Sequence, residues 1–222
     1  MADVTWNGAV WSCDAESPML TPHATRALIH GDCRLVLDTL PEIDVVLTDP
    51  PYVWSPLLCG LEDQGVNING PEGLTWPVLV WMQQWYPLVC MRSKVGVWLT
   101  TDRLYLPYYA LGGWPVQRWA LEPACDRVPW LCWIGKRPLL AEPTPETLAL
   151  YRYGSDSPTA FWSALLALTP GDRGILLDPF CGTGSTLVAG RQAGYRTIGI
   201  EQDAAIYARC HMRTMHANEV TV

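Results

Sequence analysis

No apolar run in this 222-residue sequence approaches the ~18–20 residues of a membrane-spanning helix. The opening Met1-Ala2-Asp3-Val4-Thr5-Trp6 lacks the basic-then-apolar order of a signal peptide, so a cytoplasmic protein is expected. The eight cysteines (13, 33, 59, 90, 125, 132, 181 and 210) form no C-x-x-C pair. With no clustered histidines beside them, they argue against a zinc site and against a disulfide framework, and reduced thiols are expected. Disorder is excluded as well, because 49% of the chain is hydrophobic and 17% charged. The length suits one domain, expected to span residues 1–222.

Basic charge is also scarce. The net charge is −7, and residues 1–52 alone hold eight acids and two bases. Against that background, residues 92–137 carry Arg92, Lys94, Arg103, Arg118, Arg127, Lys136 and Arg137 against three acids. A local excess of this kind describes either a solvated face or a basic rim around a cleft.

Taken in order, residues 1–24 read as a loosely ordered N-terminal arm. Arg26 to His30 reads as a strand ending in Gly31-Asp32, then a short helix from Cys33 to Leu40, then an apolar strand from Asp44 to Thr48. Strand, helix and strand in such a short span make a βαβ unit with a parallel crossover. Residues 53–73 hold four glycines without periodicity, which suggests a lid loop over a substrate. A helix is expected over Leu74–Met91, kinked or ended early by Pro87. A strand follows over Val95–Thr101 and a short helix through Leu111. Val116–Leu121 and Val128–Ile134 form a strand pair, 141–157 a connection, and Pro158–Leu168 an amphipathic helix.

The stretch Gly174-Ile175-Leu176-Leu177-Asp178-Pro179-Phe180-Cys181-Gly182-Thr183-Gly184-Ser185-Thr186 runs a buried strand into a turn with two glycines. Ser185 or Thr186 is expected to cap the helix that follows. A strand Thr197–Ile200 then ends at Glu201, and a last helix covers Ala204–Arg213. Strand, glycine turn, helix, strand and acid is an arrangement that grips a nucleoside, with the carboxylate on the ribose hydroxyls. A nicotinamide dinucleotide wants a third glycine where Leu187 stands, so that its pyrophosphate can sit on the helix amides. S-adenosylmethionine has no phosphate to seat and tolerates the shorter pattern. Phe180 beside the glycines suits a sulfonium.

Asp49-Pro50-Pro51-Tyr52 closes the strand Asp44–Thr48. Two prolines remove two donors and stiffen the exit. A carboxylate, a carbonyl and an aromatic ring are thereby held together. They can accept both hydrogens of an amino group while the ring stacks on its carrier. Taken alone, the tetrapeptide equally describes a rigid turn with a surface tyrosine.

Asp-Pro-Pro-Tyr together with Asp-Pro-Phe-Cys-Gly-Thr-Gly resembles the amino-methyltransferases that modify exocyclic amines of DNA bases. Because the Asp49 motif precedes the glycine motif, the chain is similar to the circularly permuted β-group of N6-adenine and N4-cytosine enzymes. The resemblance covers about residues 26–55 and 155–213. It implies a Rossmann-like α/β fold: a mostly parallel doubly wound sheet with an antiparallel edge strand. It implies that Asp49 and Pro50 hold the target amine, that Pro51 keeps the turn rigid and that Tyr52 stacks on a flipped-out base. Phe180, Gly182 and Gly184 would line the methionine end of S-adenosylmethionine, with Asp178 near its amino group. Cys181, Thr183 and Ser185 share that turn, Glu201 would take the ribose, and Asp32 would meet the adenine. Ser157-Pro158-Thr159 resembles an H-P-T opening, with Thr159 toward the cofactor; Ser157 and Phe161 stand where the pattern has His and Lys.

The function implied is methyl transfer to N6 of adenine in DNA, in a prokaryotic or phage-infected cell, as in restriction–modification systems, with no metal. Arg103, Lys136 and Arg137 are the expected nucleic-acid contacts. A short or relaxed target sequence is expected, or a recognition surface completed in a homodimer. The other outcomes are N4-cytosine or RNA adenine methylation, a catalytically silent nucleic-acid-binding subunit and, more distantly, a nicotinamide oxidoreductase.

Overall fold

The computed structural model describes residues 3–6, 9–13, 26–50, 76–102, 109, 113–121, 129–151 and 159–216. These build a nine-stranded sheet in the order β1-β2-β3-β9-β8-β4-β5-β7-β6. The strands are β1 (Asp3–Trp6), β2 (Ala9–Cys13), β3 (Arg26–His30), β4 (Ile43–Thr48), β5 (Ser93–Asp102), β6 (Val116–Ala120), β7 (Pro129–Gly135), β8 (Ile175–Asp178) and β9 (Arg196–Glu201). The five central strands, β3-β9-β8-β4-β5, run parallel. Both margins are antiparallel, β7 and β6 beyond β5, and β2 and β1 beyond β3. The antiparallel part is therefore larger than the single edge strand expected. Residues 3–13 contribute a strand pair where a loose arm was expected. The two runs are separated only by Asn7-Gly8, a dipeptide typical of tight hairpins.

Helices cover both faces. On one lie α1 (Cys33–Val36), α2 (Trp76–Gln83) and α3 (Tyr86–Arg92), with Trp85, Tyr86 and Val89 buried against Val46, Val97 and Leu177. On the other lie α5 (Thr159–Leu168), α6 (Ser185–Gln192) and α7 (Ala204–His216), with Phe161, Trp162 and Leu187 against Val45, Trp98 and Leu176. The short α4 (Pro145–Leu148), capped by Thr144, interrupts the connection expected over 141–157. The helix expected over 74–91 is broken at Gln84-Trp85. Pro87 falls in the first turn of α3, where its missing N–H costs nothing. Four tryptophans, Trp85, Trp98, Trp133 and Trp162, are fully buried and supply much of the apolar volume between the layers.

β4 and β8 are neighbours in space although most of the chain separates them. The Asp49 strand thus precedes the glycine-turn strand in sequence but lies beside it in the sheet, the permuted order that the motifs imply.

Candidate active site

Parallel strands end on one edge, and every described sequence-predicted residue at a tip of the central strands lies there. In sheet order the tips are Gly31-Asp32 after β3, Glu201 in β9, Asp178 to Phe180 at β8, Asp49-Pro50 after β4, and Thr100 in β5. Glu201 and Asp49 are two strand spacings apart, ~10 Å at ~4.8 Å per spacing. Pro51, Tyr52, Arg103 and the lid loop 53–73 lie outside the described residues.

Asp49 is half-buried and Pro50 buried. The Thr100 hydroxyl donates to Asp49 Oδ1, so β5 orients the carboxylate that β4 carries. Asp178, 1% exposed, has a different environment. Its Oδ1 accepts from the Thr48 hydroxyl at 2.7 Å and from the Phe180 N–H at 3.0 Å, and its Oδ2 from the Thr186 hydroxyl. Burial pushes its carboxyl up to about 7, against those three hydrogen bonds and with a smaller push from Asp49. Asp178 therefore braces the β4 and β8 tips against the start of α6. The resemblance implies that Asp178 lies near the cofactor's amino group, and in the structure both of its oxygens already accept hydrogen bonds from within the protein.

Gly182 and Gly184 both have positive φ, +52° and +89°, a conformation that glycine enters without a Cβ penalty. A Cβ on Gly184 would stand 2.7 Å from Cys210 Sγ, whereas one on Gly182 would meet nothing within 4 Å. The turn is thus packed tightly behind and open in front. Gly184 itself is the N-cap of α6, with no side-chain cap. Ser185 is the first helical residue and the Thr186 hydroxyl is drawn to Asp178, so neither caps the helix as expected. The Gly182 N–H donates to Glu201 Oε2 at 3.1 Å and the Asp203 N–H to Oε1 at 2.7 Å. Burial raises the Glu201 carboxyl, opposed by these backbone donors. Each Glu201 oxygen has capacity for a second hydrogen bond.

Phe180 is half-buried against the rings of Trp81 and Trp85, 5.5 and 4.9 Å away. Trp85 is core, but Trp81 is only half-buried and extends the aromatic wall beside the turn. Cys181 is buried with its Sγ 3.8 Å from that of Cys210, and burial holds its thiol well above the ordinary range. Asp32 caps α1 and accepts from the Arg34 N–H and guanidinium. Burial opposes ionisation, yet Arg34 outweighs it and holds the carboxyl below its usual range. Arg34 also reaches Gln84 Oε1 at 2.7 Å, tying this tip to the α2–α3 break. Thr159 and Thr183 are linked through Arg213, whose Nη2 and Nη1 donate to their hydroxyls at 3.3 and 2.9 Å.

Lys136 and Arg137 are not part of this edge. They follow Gly135, which pairs with Gly96 near the start of β5. The Lys136 ammonium donates to the Met91 and Ser93 carbonyls at the amino-terminal edge. These two expected nucleic-acid contacts thus stand on the opposite edge from Asp49, because β7 runs antiparallel to β5 and its end returns to the far side of the sheet. Sequence reasoning also missed Thr48, Thr100 and Arg213. Thr48 and Thr100 had a signal, since each is a hydroxyl within a residue or two of an acid that closes a strand. Among the described residues no group of His, Cys, Asp and Glu is placed to hold a metal ion, and no helix is long and apolar enough to cross a membrane.

Comparison with known proteins bears on this arrangement. Residues 144–210 match the family model described as DNA methylase, of the N6/N4 type. The curated relative YubD of Escherichia coli (strain K12), provisionally named a methylase, is 29% identical over 194 residues, covering 78% of this chain and 83% of its own. TTHA0409 of Thermus thermophilus, provisionally described as a DNA modification methylase and solved with S-adenosyl-L-methionine, superposes with a TM-score of 0.57 at 22% identity. That match covers 88% of this chain and 97% of the other. The PvuII cytosine-N4-specific DNA methyltransferase gives 0.61 at 13% identity, over 85% and 86% of the two chains. By paired motifs, by family-model match and by fold, the chain resembles the N6/N4 DNA methylases.

Proposed function

We propose that this chain transfers a methyl group from S-adenosylmethionine to the exocyclic N6 amine of adenine in DNA. The observation that carries the reading is the join between the two motifs. The Thr48–Asp178 hydrogen bond sets the Asp49 tip directly beside the glycine turn on one edge. The residues fit the cofactor: Gly182 leaves an open cradle next to Glu201, whose oxygens suit ribose hydroxyls, and Phe180 with Trp81 offers π faces to a cation.

An exocyclic amine is a weak nucleophile because its lone pair is delocalised into the ring. Asp49 and the Pro50 carbonyl accept its two hydrogens, which favours a tetrahedral nitrogen and places negative potential where positive charge develops. Thr100 holds the Asp49 carboxylate in position for that task. The cofactor supplies an already reactive methyl donor, so alignment is most of what the protein adds. Tyr52 stacks on the base, which has to leave the duplex to reach the edge. The buried Cys181 thiol needs no covalent role.

The test is incubation of the purified chain with labelled methyl donor and unmodified DNA, followed by mass spectrometry of the nucleosides. N6-methyladenine is expected. Product on cytosine overturns the base assignment, product only on RNA overturns the substrate class, and binding without product on any nucleic acid makes the chain a silent subunit.

A further inference from the structure

We propose that Arg213 is the cation that holds the carboxylate of the cofactor's amino-acid end, together with the hydroxyls of Thr183 and Thr159. The proposal rests on the reading of the slot as one for S-adenosylmethionine. That molecule has a nucleoside at one end and an amino acid, with its carboxylate, at the other. Glu201 and Asp49 set carboxyl groups on the edge, and an anionic ligand group is repelled by them unless a cation stands close.

Arg213 stands there. It comes from α7, the last described helix, and forks between the glycine turn and the start of α5, with Nη1 to Thr183 at 2.9 Å and Nη2 to Thr159 at 3.3 Å. The position is set by its neighbours on α7. Cys210 and Thr214 are fully buried and pack behind Gly184, so the exposed Arg213 is carried to the side of the same turn. A planar guanidinium matches a carboxylate in both charge and shape. The Thr159 hydroxyl accepts from the guanidinium, and a hydroxyl that accepts can also donate its O–H to an anion. The three side chains therefore form an anion subsite beside the glycine turn, with Glu201 kept for the nucleoside.

The experiment is calorimetric titration of the full chain and of Arg213→Ala and Arg213→Lys with two ligands. S-adenosylhomocysteine carries the amino-acid end, and methylthioadenosine lacks it. Arg213→Ala is expected to weaken S-adenosylhomocysteine about 10- to 100-fold while methylthioadenosine stays within about 2-fold, as for loss of a charge-assisted hydrogen bond. Arg213→Lys, which keeps the charge without the fork, is expected to fall between. Equal weakening of both ligands, or no weakening of either, overturns the assignment. Binding of neither ligand by the unaltered chain overturns instead the reading of the slot on which it rests.

Discussion

Two neighbouring strands of this sheet end in the same dipeptide, Asp49-Pro50 at β4 and Asp178-Pro179 at β8, yet their carboxyl groups have opposite environments. The register Val46↔Leu177 sets Asp178 level with Leu47. Asp49 therefore stands two residues further along, ~7 Å at ~3.3 Å per residue. That offset carries Asp49 past the rim, where it is half-buried and oriented by Thr100. It leaves Asp178 beneath the rim, walled in and occupied by Thr48, Thr186 and Phe180. On the proposed function, Asp49 serves the chemistry and Asp178 the structure, and division by surroundings is a familiar way for one fold to hold two carboxyl groups for different work. Here the division follows from the register of the two strands and from the partners that each carboxyl meets.

The comparison is broken most directly at Asp49. Asp49→Ala is expected to lower the methyl-transfer rate by about 100- to 1,000-fold, as for loss of a preorganised polar group at the reacting atom. Calorimetry with S-adenosylhomocysteine should show binding retained. An equal fall in cofactor affinity would place Asp49 in the cofactor slot instead. The converse is expected at Asp178. Asp178→Ala strips two hydroxyls and an N–H of their buried acceptor and should destabilise the fold by about 2–4 kcal/mol, read as a lower denaturant midpoint at unchanged slope.

Thr100→Val is a gentler probe, nearly isosteric and lacking only the hydroxyl. A rate loss of about 10-fold with cofactor affinity unchanged is expected, the scale of one hydrogen bond. A loss of stability without a loss of rate would make Thr100 a packing residue.

The last probe is pH dependence. Asp178 binds its proton in the folded state up to about 7, against 3.8 ordinarily. The folded protein therefore holds more protons than the unfolded chain between those values, and this group's contribution to stability falls as pH rises from about 4 to about 7. Asp178→Asn should flatten that part of the stability–pH profile, measured by denaturant melts at several pH values. An unchanged profile would show that the burial of Asp178 has no protonation consequence.

The same pair of tips shows what was legible beforehand. Both apolar strands, both Asp-Pro exits and the glycine turn followed by Glu201 can be read from local pattern, because strand periodicity and proline and glycine geometry act over a few residues. The break near Pro87 was expected for the same reason. The Asp3–Cys13 strand pair was not, although Asn7-Gly8 was a sign of it. The edge on which Lys136 and Arg137 stand was not legible, because it depends on the direction of β7, which pairing with β5 decides. The bracing role of Asp178 was hidden as well, since its Thr48 partner is 130 residues away in the chain.

By itself, then, the order of residues determined most of the element sequence, the βαβ unit with its parallel crossover and the two motifs on which the proposed chemistry rests. Those features arise from neighbours in the chain, and local sterics and hydrophobic alternation suffice for them. Only the tertiary structure decided which carboxyl is buried, which cations stand on the edge opposite Asp49, and that Arg213 from the last described helix arrives beside the glycine turn. Each of those depends on strand register or on helices packed across the sheet, contacts between distant segments that no local pattern encodes.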